Sequence, residues 1–272
     1  MISDTKVVAI GGGTGLSTML KGLKLHTHNI TAVVTVADDG GSSGILRSDL
    51  GMLAPGDVRN CVSALAEVDP VMGELLNFRF KDGSLKGHSL GNLFLAALNE
   101  TSSSFDEAVK KFSHLTGVVG TVYPVTNESV TLSALLEDGR LIEGESHIGV
   151  HHDGPKNGIV KLMVNPEKPK AVDGVIKALE KADIIVLGPG SLYTSIIPNL
   201  LVDGVVDAIK KSNAVKIYVC NIMSQAGETE NYTVSDHLAA IERHSYEGIA
   251  DIVIANNAII PESLRIKYAS EH

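Results

Sequence analysis

The sequence has no tryptophan, and only 4% of its 272 residues are aromatic. A core must therefore come from Val, Ile, Leu and Ala, a composition that suits parallel strands covered by helices. Cysteine is nearly absent. Cys61 and Cys220 are far apart without metal-ligand spacing, which excludes a cysteine zinc motif and makes both packing residues rather than nucleophiles. There is no signal peptide and no apolar run long enough to span a bilayer, so a cytoplasmic, reducing location and no membrane partner are expected. Positive charge is scarce: 23 Lys and Arg stand against 32 Asp and Glu, for a net charge of -9. That excludes a broad nucleic-acid surface and leaves room only for a local basic pocket. Also missing are a Ser-His-Asp order, a zinc motif and the lysine of a phosphate-binding P-loop.

Glycine, by contrast, is plentiful at 27 residues, and it gathers in three turns. Gly11-Gly12-Gly13-Thr14-Gly15 follows the apolar run Lys6–Ile10. Ala37-Asp38-Asp39-Gly40-Gly41-Ser42-Ser43-Gly44 follows Ile30–Val36. Gly188-Pro189-Gly190-Ser191-Leu192-Tyr193-Thr194-Ser195 follows Ile184–Leu187. Each is a short β-branched run, a burst of Gly and hydroxyl residues, then a helix-like stretch. Open α/β sheets hold ligands in the loops at the C-terminal ends of their strands, so these turns should share one edge of one sheet.

The remainder alternates accordingly. Helical spacing of Leu16, Met19, Leu20 and Leu23 predicts a helix opening in the first turn. Residues 38–56 read as a long functional loop, with Asp57 as the N-cap of a helix over 58–67 and Asp69-Pro70 opening another. Largely apolar helices follow from Ser89 and over 105–115. Between 118 and 165 the pattern changes to an antiparallel hairpin around Asp138-Gly139, read as an insertion. After Pro169 the alternation of helices and strands resumes. The expectation is a single domain over 1–272 of α/β class: a Rossmann-like three-layer α/β/α fold, mostly parallel, with an antiparallel hairpin insertion.

Glycine amides at a helix start bind anions, so Gly12, Gly13, Thr14 and Gly15 suit a pyrophosphate. The full dinucleotide fingerprint is not met, because its last glycine would fall at Leu16. Asp38 ends the second strand, where a ribose-binding acid is expected, so a nicotinamide dehydrogenase stays open. Asp38 and Asp39, with Gly41, Ser42 and Ser43 behind them, are candidate ligands for Mg²⁺ carried with a nucleotide; alternatively one accepts from a sugar hydroxyl or only caps its own turn. No cofactor beyond such an ion is indicated. Arg59, beside Asn60, offers bidentate charge to a phosphate. His88 and Asn92 mark a further polar helix start. In the third turn Gly188 and Gly190 bring backbone close, and Ser191, Tyr193, Thr194 and Ser195 place hydroxyls at a helix start. Asn221, followed by Met223, Ser224 and Gln225, ends the next strand, where amides can read a base or sugar. His147, His151 and His152 are read as solvated surface.

The motifs GGGTGLS (Gly11–Ser17), VTVADDGGSSG (Val34–Gly44), PGDVRN (Pro55–Asn60), GHSLGN (Gly87–Asn92), GPGSLYTSIIPNLL (Gly188–Leu201) and CNIMSQAGET (Cys220–Thr229) together resemble the bacterial gluconeogenesis factor family (YvcK-type). That family lies within the superfamily of the CofD-like phospholactate transferase of deazaflavin cofactor synthesis. The resemblance implies a Rossmann-like fold, UDP-N-acetylglucosamine as ligand, and a role in cell shape and growth on gluconeogenic carbon sources, with no catalytic residue attached. The transferase branch implies instead a guanosine nucleotide and Mg²⁺, with Asp38 or Asp39 on the metal side and Gly188–Ser195 and Asn221 facing the nucleotide. Tyr268 matches a position expected to contact the nucleotide sugar. Members usually run longer, so a truncated C-terminal end is expected at His272. The sequence favours a nucleotide-sugar-binding regulator over a phosphotransferase, since few aromatics are available for a deazaflavin slot. A homo-oligomer is compatible with either.

Overall fold

The structure, a computed structural model, describes residues 3–149 and 158–271, with side chains described up to residue 266. Strand β1 (Val7–Gly11) is an unbroken buried run, and α1 (Gly13–Leu23) leaves directly from its glycine turn. Strand β2 (Ile30–Val34) returns parallel to β1, with Val7 opposite Ile30 and Ile10 opposite Val33. Five helices follow: α2 (Gly41–Leu50), α3 (Gly56–Leu65), α4 (Pro70–Asn77), α5 (Leu90–Glu100) and α6 (Phe105–Leu115). Then come β3 (Thr121–Pro124), β4 (Thr131–Leu136), β5 (Leu141–Glu143), the short α7 (Glu145–Ile148), β6 (Ile159–Asn165) and α8 (Asp173–Lys181). Strand β7 (Ile184–Leu187) leads into a π-helical turn (Leu192–Ile196), α9 (Ile197–Leu200) and α10 (Val205–Lys211). The chain closes with β8 (Val215–Val219), α11 (Val234–Arg243), β9 (Ile252–Ile254) and α12 (Glu262–Glu271).

Six parallel strands form the main sheet in the order β3-β2-β1-β7-β8-β9. Numbered along the chain within that sheet, the order is 3-2-1-4-5-6, that of doubly wound dinucleotide-binding sheets. Strand succession runs one way from β1 to β3 and the other way from β7 to β9. Right-handed crossovers therefore put α1 and α3 on one face, and α10 and α11 on the other. The expected Rossmann-like architecture is present, and its reversal point falls between β1 and β7. A second, antiparallel sheet of order β5-β4-β6 carries the expected hairpin, with Ala134 opposite Ile142.

Three local expectations are corrected. Residues 38–56 are not a loop throughout, because α2 occupies its middle. Ser42, Ser43 and Leu46 bury one face of that helix, and Gly51, at φ 63°, ends it in the left-handed conformation. Asp57 is not an N-cap: α3 begins at Gly56 after Pro55, so the Asp57 side chain already lies within the first turn. The insertion does not begin at 118, because β3 pairs parallel with β2 and belongs to the main sheet. Four residues ending in a proline gave too little periodicity to reveal it. Asp69 does cap α4, accepting from the Val71 amide at 2.9 Å with Pro70 at the first position.

Candidate functional site

The crevice opens at the reversal point, above the C-terminal ends of β1, β7 and β8. Its volume is about 560 Å³, and it is lined by Gly12–Gly15, Pro189–Ser191, Ser195, Val219–Met223 and Gln225. Helix α1 starts at Gly13 with no cap from its own N-cap residue, Gly12, and no acid in its own first turn; the Gly13 amide is taken by Asp57 of α3. The amides of Thr14 and Gly15 therefore face the crevice at the positive end of the helix. The two glycine turns interlock. A Cβ on Gly15 would lie 2.9 Å from the Pro189 carbonyl, and one on Gly190 would lie 3.2 Å from the Gly12 carbonyl. Gly12 itself leaves no room: a Cβ there would meet Asp57 Oδ2 at 2.6 Å and Thr35 Cγ2 at 2.8 Å. Gly188, at φ 81°, passes the Val219 carbonyl closely enough that a Cβ would meet it at 3.0 Å.

The far wall is a ladder of amides. Asn221 Oδ1 accepts from the Gly190 amide at 3.2 Å, Asn221 Nδ2 donates to Gln225 Oε1 at 3.4 Å, and Gln225 Nε2 donates to Ser191 Oγ at 2.8 Å. Ile222 stands 67% exposed beside it, so the wall offers an apolar shelf next to polar amides. Such a mixture suits a heterocyclic base or a sugar.

The second glycine turn supplies none of the residues that line this crevice and lies beyond Asp57, which touches both Gly12 and the neighbourhood of Asp38. Asp38 Oδ1 accepts from the Gly40 amide at 2.9 Å. Both oxygens of Asp39 are taken by the start of α7, Oδ2 accepting from the Glu145 amide at 2.9 Å and Oδ1 from the Ser146 amide at 2.8 Å. Behind them runs a buried chain. His88 Nδ1 lies 3.0 Å from Ser42 Oγ, Asn92 Nδ2 donates to Ser42 Oγ at 3.1 Å, and Arg59 Nε donates to Asn92 Oδ1 at 3.3 Å. Arg59 also donates to Asn77 Oδ1 at 2.8 Å. The sequence-marked groups Ser42, Arg59, His88 and Asn92 are thus brought together, but mainly to bond one another. Ser43 is buried, and a Cβ on Gly56 would lie 2.5 Å from its hydroxyl. Gly41, at φ 45°, opens α2, whose start carries no side-chain cap.

The electrostatics are acidic. Burial pushes the Asp57 carboxyl up to about 6; the Gly13 amide and Arg59 oppose this, and Asp38 adds to it. Burial and the neighbouring Asp38, Asp39, Glu228 and Asp57 push Glu145 up to about 8. Burial, with Arg79 beside it, lowers Arg59, and Asp57 opposes that. Asp38 Oδ2 is the one oxygen of the acidic pair with no hydrogen-bond donor among the described residues. No group of three or more His, Cys, Asp or Glu is placed to hold a metal ion among those residues. Asp38 Oδ2 is thus the one oxygen of the pair that would be left to hold a Mg²⁺ carried with a phosphate ligand, whereas Asp39, whose two oxygens are already taken, would not.

Not every predicted contact reaches the crevice. Tyr193 is corrected: its ring is fully buried, its hydroxyl donates to the Ile159 carbonyl at 3.1 Å and meets the Tyr232 hydroxyl at 2.9 Å, so it is a core residue. Thr194 points to Glu228, 3.3 Å away, while Ser195 lies under Gly12 and Gly13. Asn60 is half-buried on α3 without a side-chain hydrogen bond among the described residues. Tyr268 falls in α12, and its side chain lies outside the described residues, as do His151 and His152 entirely. His147 is exposed, its Nδ1 2.8 Å from the Glu143 carbonyl oxygen.

Sequence reasoning missed Arg47, Glu145 and Glu228. Arg47 donates to the carbonyls of Ala37 at 3.1 Å and Val130 at 2.6 Å, tying the second turn to the small sheet. Glu228 is 5% exposed and accepts from the Tyr193 amide at 3.1 Å. All three act across long sequence separations, and no local spacing announces them. No described helix is long and apolar enough to cross a membrane.

The pattern of the family described as 2-phospho-L-lactate transferase CofD matches residues 7–272. The gluconeogenesis factor of Bacillus subtilis is 45% identical over 269 residues, covering 98% of this chain and 83% of its own length. That of Halalkalibacterium halodurans is 48% identical over 268 residues, 97% of this chain and 81% of its own. A Clostridium acetobutylicum relative is 52% identical over 268 residues, 98% of this chain but 59% of its own length, so the chain spans under two thirds of that longer protein. Among solved structures, a UPF0052-family protein of Bacillus halodurans superposes with a TM-score of 0.95 at 46% identity, covering 100% of this chain and 86% of that one.

Proposed function

The chain belongs to the CofD family, beside the gluconeogenesis factors, and on that basis we propose that it is a cytoplasmic regulatory protein whose crevice binds UDP-N-acetylglucosamine. One observation carries the reading. The Thr14 and Gly15 amides at the start of α1, next to the Gly13 amide that Asp57 already takes, face the interlocked Gly190 turn across a crevice whose far side pairs an apolar shelf with the Asn221–Gln225 amides. The first feature suits a pyrophosphate, and the second a base and a sugar. No nucleophile paired with a base lines that crevice among the described residues. Ligand occupancy would report cell-wall precursor supply to central carbon metabolism, supporting cell shape and growth on gluconeogenic carbon sources.

The family description and Asp38 Oδ2 favour a second reading, a phosphotransferase using a guanosine nucleotide and Mg²⁺. The ion would offset phosphate charge beside an acidic wall, while Arg59, through Asn92, would fix the position of Ser42. Calorimetric titration with UDP-N-acetylglucosamine, GDP and NADH, each with and without Mg²⁺, separates these readings. Saturable binding of the UDP sugar, lost on Asn221→Ala, supports the regulator. Mg²⁺-dependent GDP binding without UDP-sugar binding refutes it in favour of the transferase, and NADH binding alone would favour a dehydrogenase.

A further inference from the structure

A second cavity, of about 580 Å³, lies at the β3 edge of the main sheet, with β2 between it and the crevice. Backbone pairing fixes its floor. The Val125 amide donates to the Val34 carbonyl at 2.9 Å, the Val172 amide donates to the Val125 carbonyl at 3.0 Å, and Thr126 bridges to Ala171. Helix α6, the segment after β3 and the first turns of α8 close around that floor. Helix α8 begins at Asp173 with no side-chain cap. Glycine is required at position 174, because a Cβ there would collide with the Tyr123 ring and lie 2.7 Å from its hydroxyl oxygen. The Tyr123 hydroxyl is thereby laid over the start of α8, where it has no hydrogen-bond partner among the described residues.

The charges around this cavity are sorted. Lys110 of α6, Lys170 before α8 and Lys177 within α8 all line it. Each is exposed, and none forms an ion pair among the described residues. Lys110 stands one turn after Asp106, its natural partner on α6, but Asp106 is held elsewhere. Its Oδ1 accepts from Asn127 Nδ2 at 2.8 Å, while its amide donates to Asn127 Oδ1 at 3.0 Å. Glu128 Oε1 in turn accepts from the Lys170 amide at 2.7 Å. With Asp173 on the rim, the lining thus holds three ammonium groups beside three carboxylates of fixed or helical position.

A simple anion has use for the lysines but is repelled by the carboxylates. A phosphorylated polyol uses both. Ammonium groups and the amides of a helix start hold its phosphate, and carboxylate oxygens accept from its hydroxyls. The volume suits a ligand of that size. We propose that this cavity is a second ligand site, for the phosphate monoester of a small sugar or polyol. Its phosphate sits among Lys110, Lys170 and Lys177 at the start of α8, and its hydroxyls face Tyr123 and the free oxygens of Asp106 and Glu128. The site is independent of whatever the β1–β7 crevice binds.

Calorimetric titration of the whole chain with glucose 6-phosphate, glycerol 3-phosphate, inorganic phosphate and glucose tests it. At least one of the two esters is expected to bind saturably with a dissociation constant below about 1 mM. It should bind at least about threefold more tightly than inorganic phosphate, with glucose silent. Lys170→Ala with Lys177→Ala should weaken the ester at least about tenfold while leaving the circular dichroism spectrum unchanged. The ester should also bind as tightly when UDP-N-acetylglucosamine is present at saturation as when it is absent. Four outcomes overturn the proposal: no saturable binding of either ester, inorganic phosphate or glucose binding as tightly as the better ester, full affinity in the double lysine variant, or displacement of the ester by the UDP sugar.

Discussion

Glu145 offers a sharp electrostatic test, because the structure holds its carboxyl at about 8 against an ordinary value of 4.5. Burial is the main cause, and Asp38, Asp39, Glu228 and Asp57 reinforce it. The folded chain thus keeps a proton on Glu145 that the unfolded chain has already released. Between these two values the native state binds more protons, so its stability falls as pH rises through the window. Replacing Glu145 by Gln removes the titration while keeping the shape. Between pH 5 and pH 7 the full shift corresponds to about 3 kcal/mol. Water reaching the partly exposed carboxyl reduces this, leaving about 1–2 kcal/mol. Urea unfolding of both proteins at pH 5, 6, 7 and 8 reads the effect. Glu145→Gln should match the parent near pH 5 and be progressively more stable towards pH 8. A difference that does not grow with pH, or a variant less stable at pH 8, refutes the acidic clustering on which the reasoning rests.

Other outcomes follow from the same geometry. Gly12→Ala should lose about 2 kcal/mol of stability, along with UDP-sugar binding, because its methyl would collide with Asp57 and Thr35; paired urea and calorimetric titrations check this. Asp39→Ala should cost about 1–2 kcal/mol in urea unfolding by leaving the Glu145 and Ser146 amides without their acceptor. Burial pushes the Cys61 and Cys220 thiols up. A thiol-reactive dye should therefore label neither at an appreciable rate in native buffer, and both in urea.

The three glycine turns were legible because backbone requirements are local. An interlock such as Gly15 against Pro189 needs glycine whatever surrounds it, and an apolar run ending in such a turn places it at a strand end. The same composition hid α2, since Gly-Ser-Ser-Gly lowers helix propensity and only burial of Ser42, Ser43 and Leu46 decides the matter. The Asp38-Asp39 pattern reads as a ligand group, yet both Asp39 oxygens accept from amides 106 and 107 residues away, where no spacing could reveal them. Asp57 was recognised as important but for the wrong reason, because its carboxylate answers Gly13 across the site and not its own helix. Tyr193 shows the limit of counting hydroxyls: a π-helical turn swings that ring into the core, where Ile159 and Tyr232 take its hydroxyl.

The central claim is that the β1–β7 reversal point holds the diphosphate of a nucleotide sugar. A crystal structure of the chain grown with UDP-N-acetylglucosamine tests it most directly. The account predicts diphosphate density over the Thr14 and Gly15 amides, with the uridine or sugar against Ile222 and the Asn221–Gln225 amides. Ligand density elsewhere, for example in the depression between Lys110, Lys170 and Lys177 beside Tyr123, with the glycine turns bare, would contradict it.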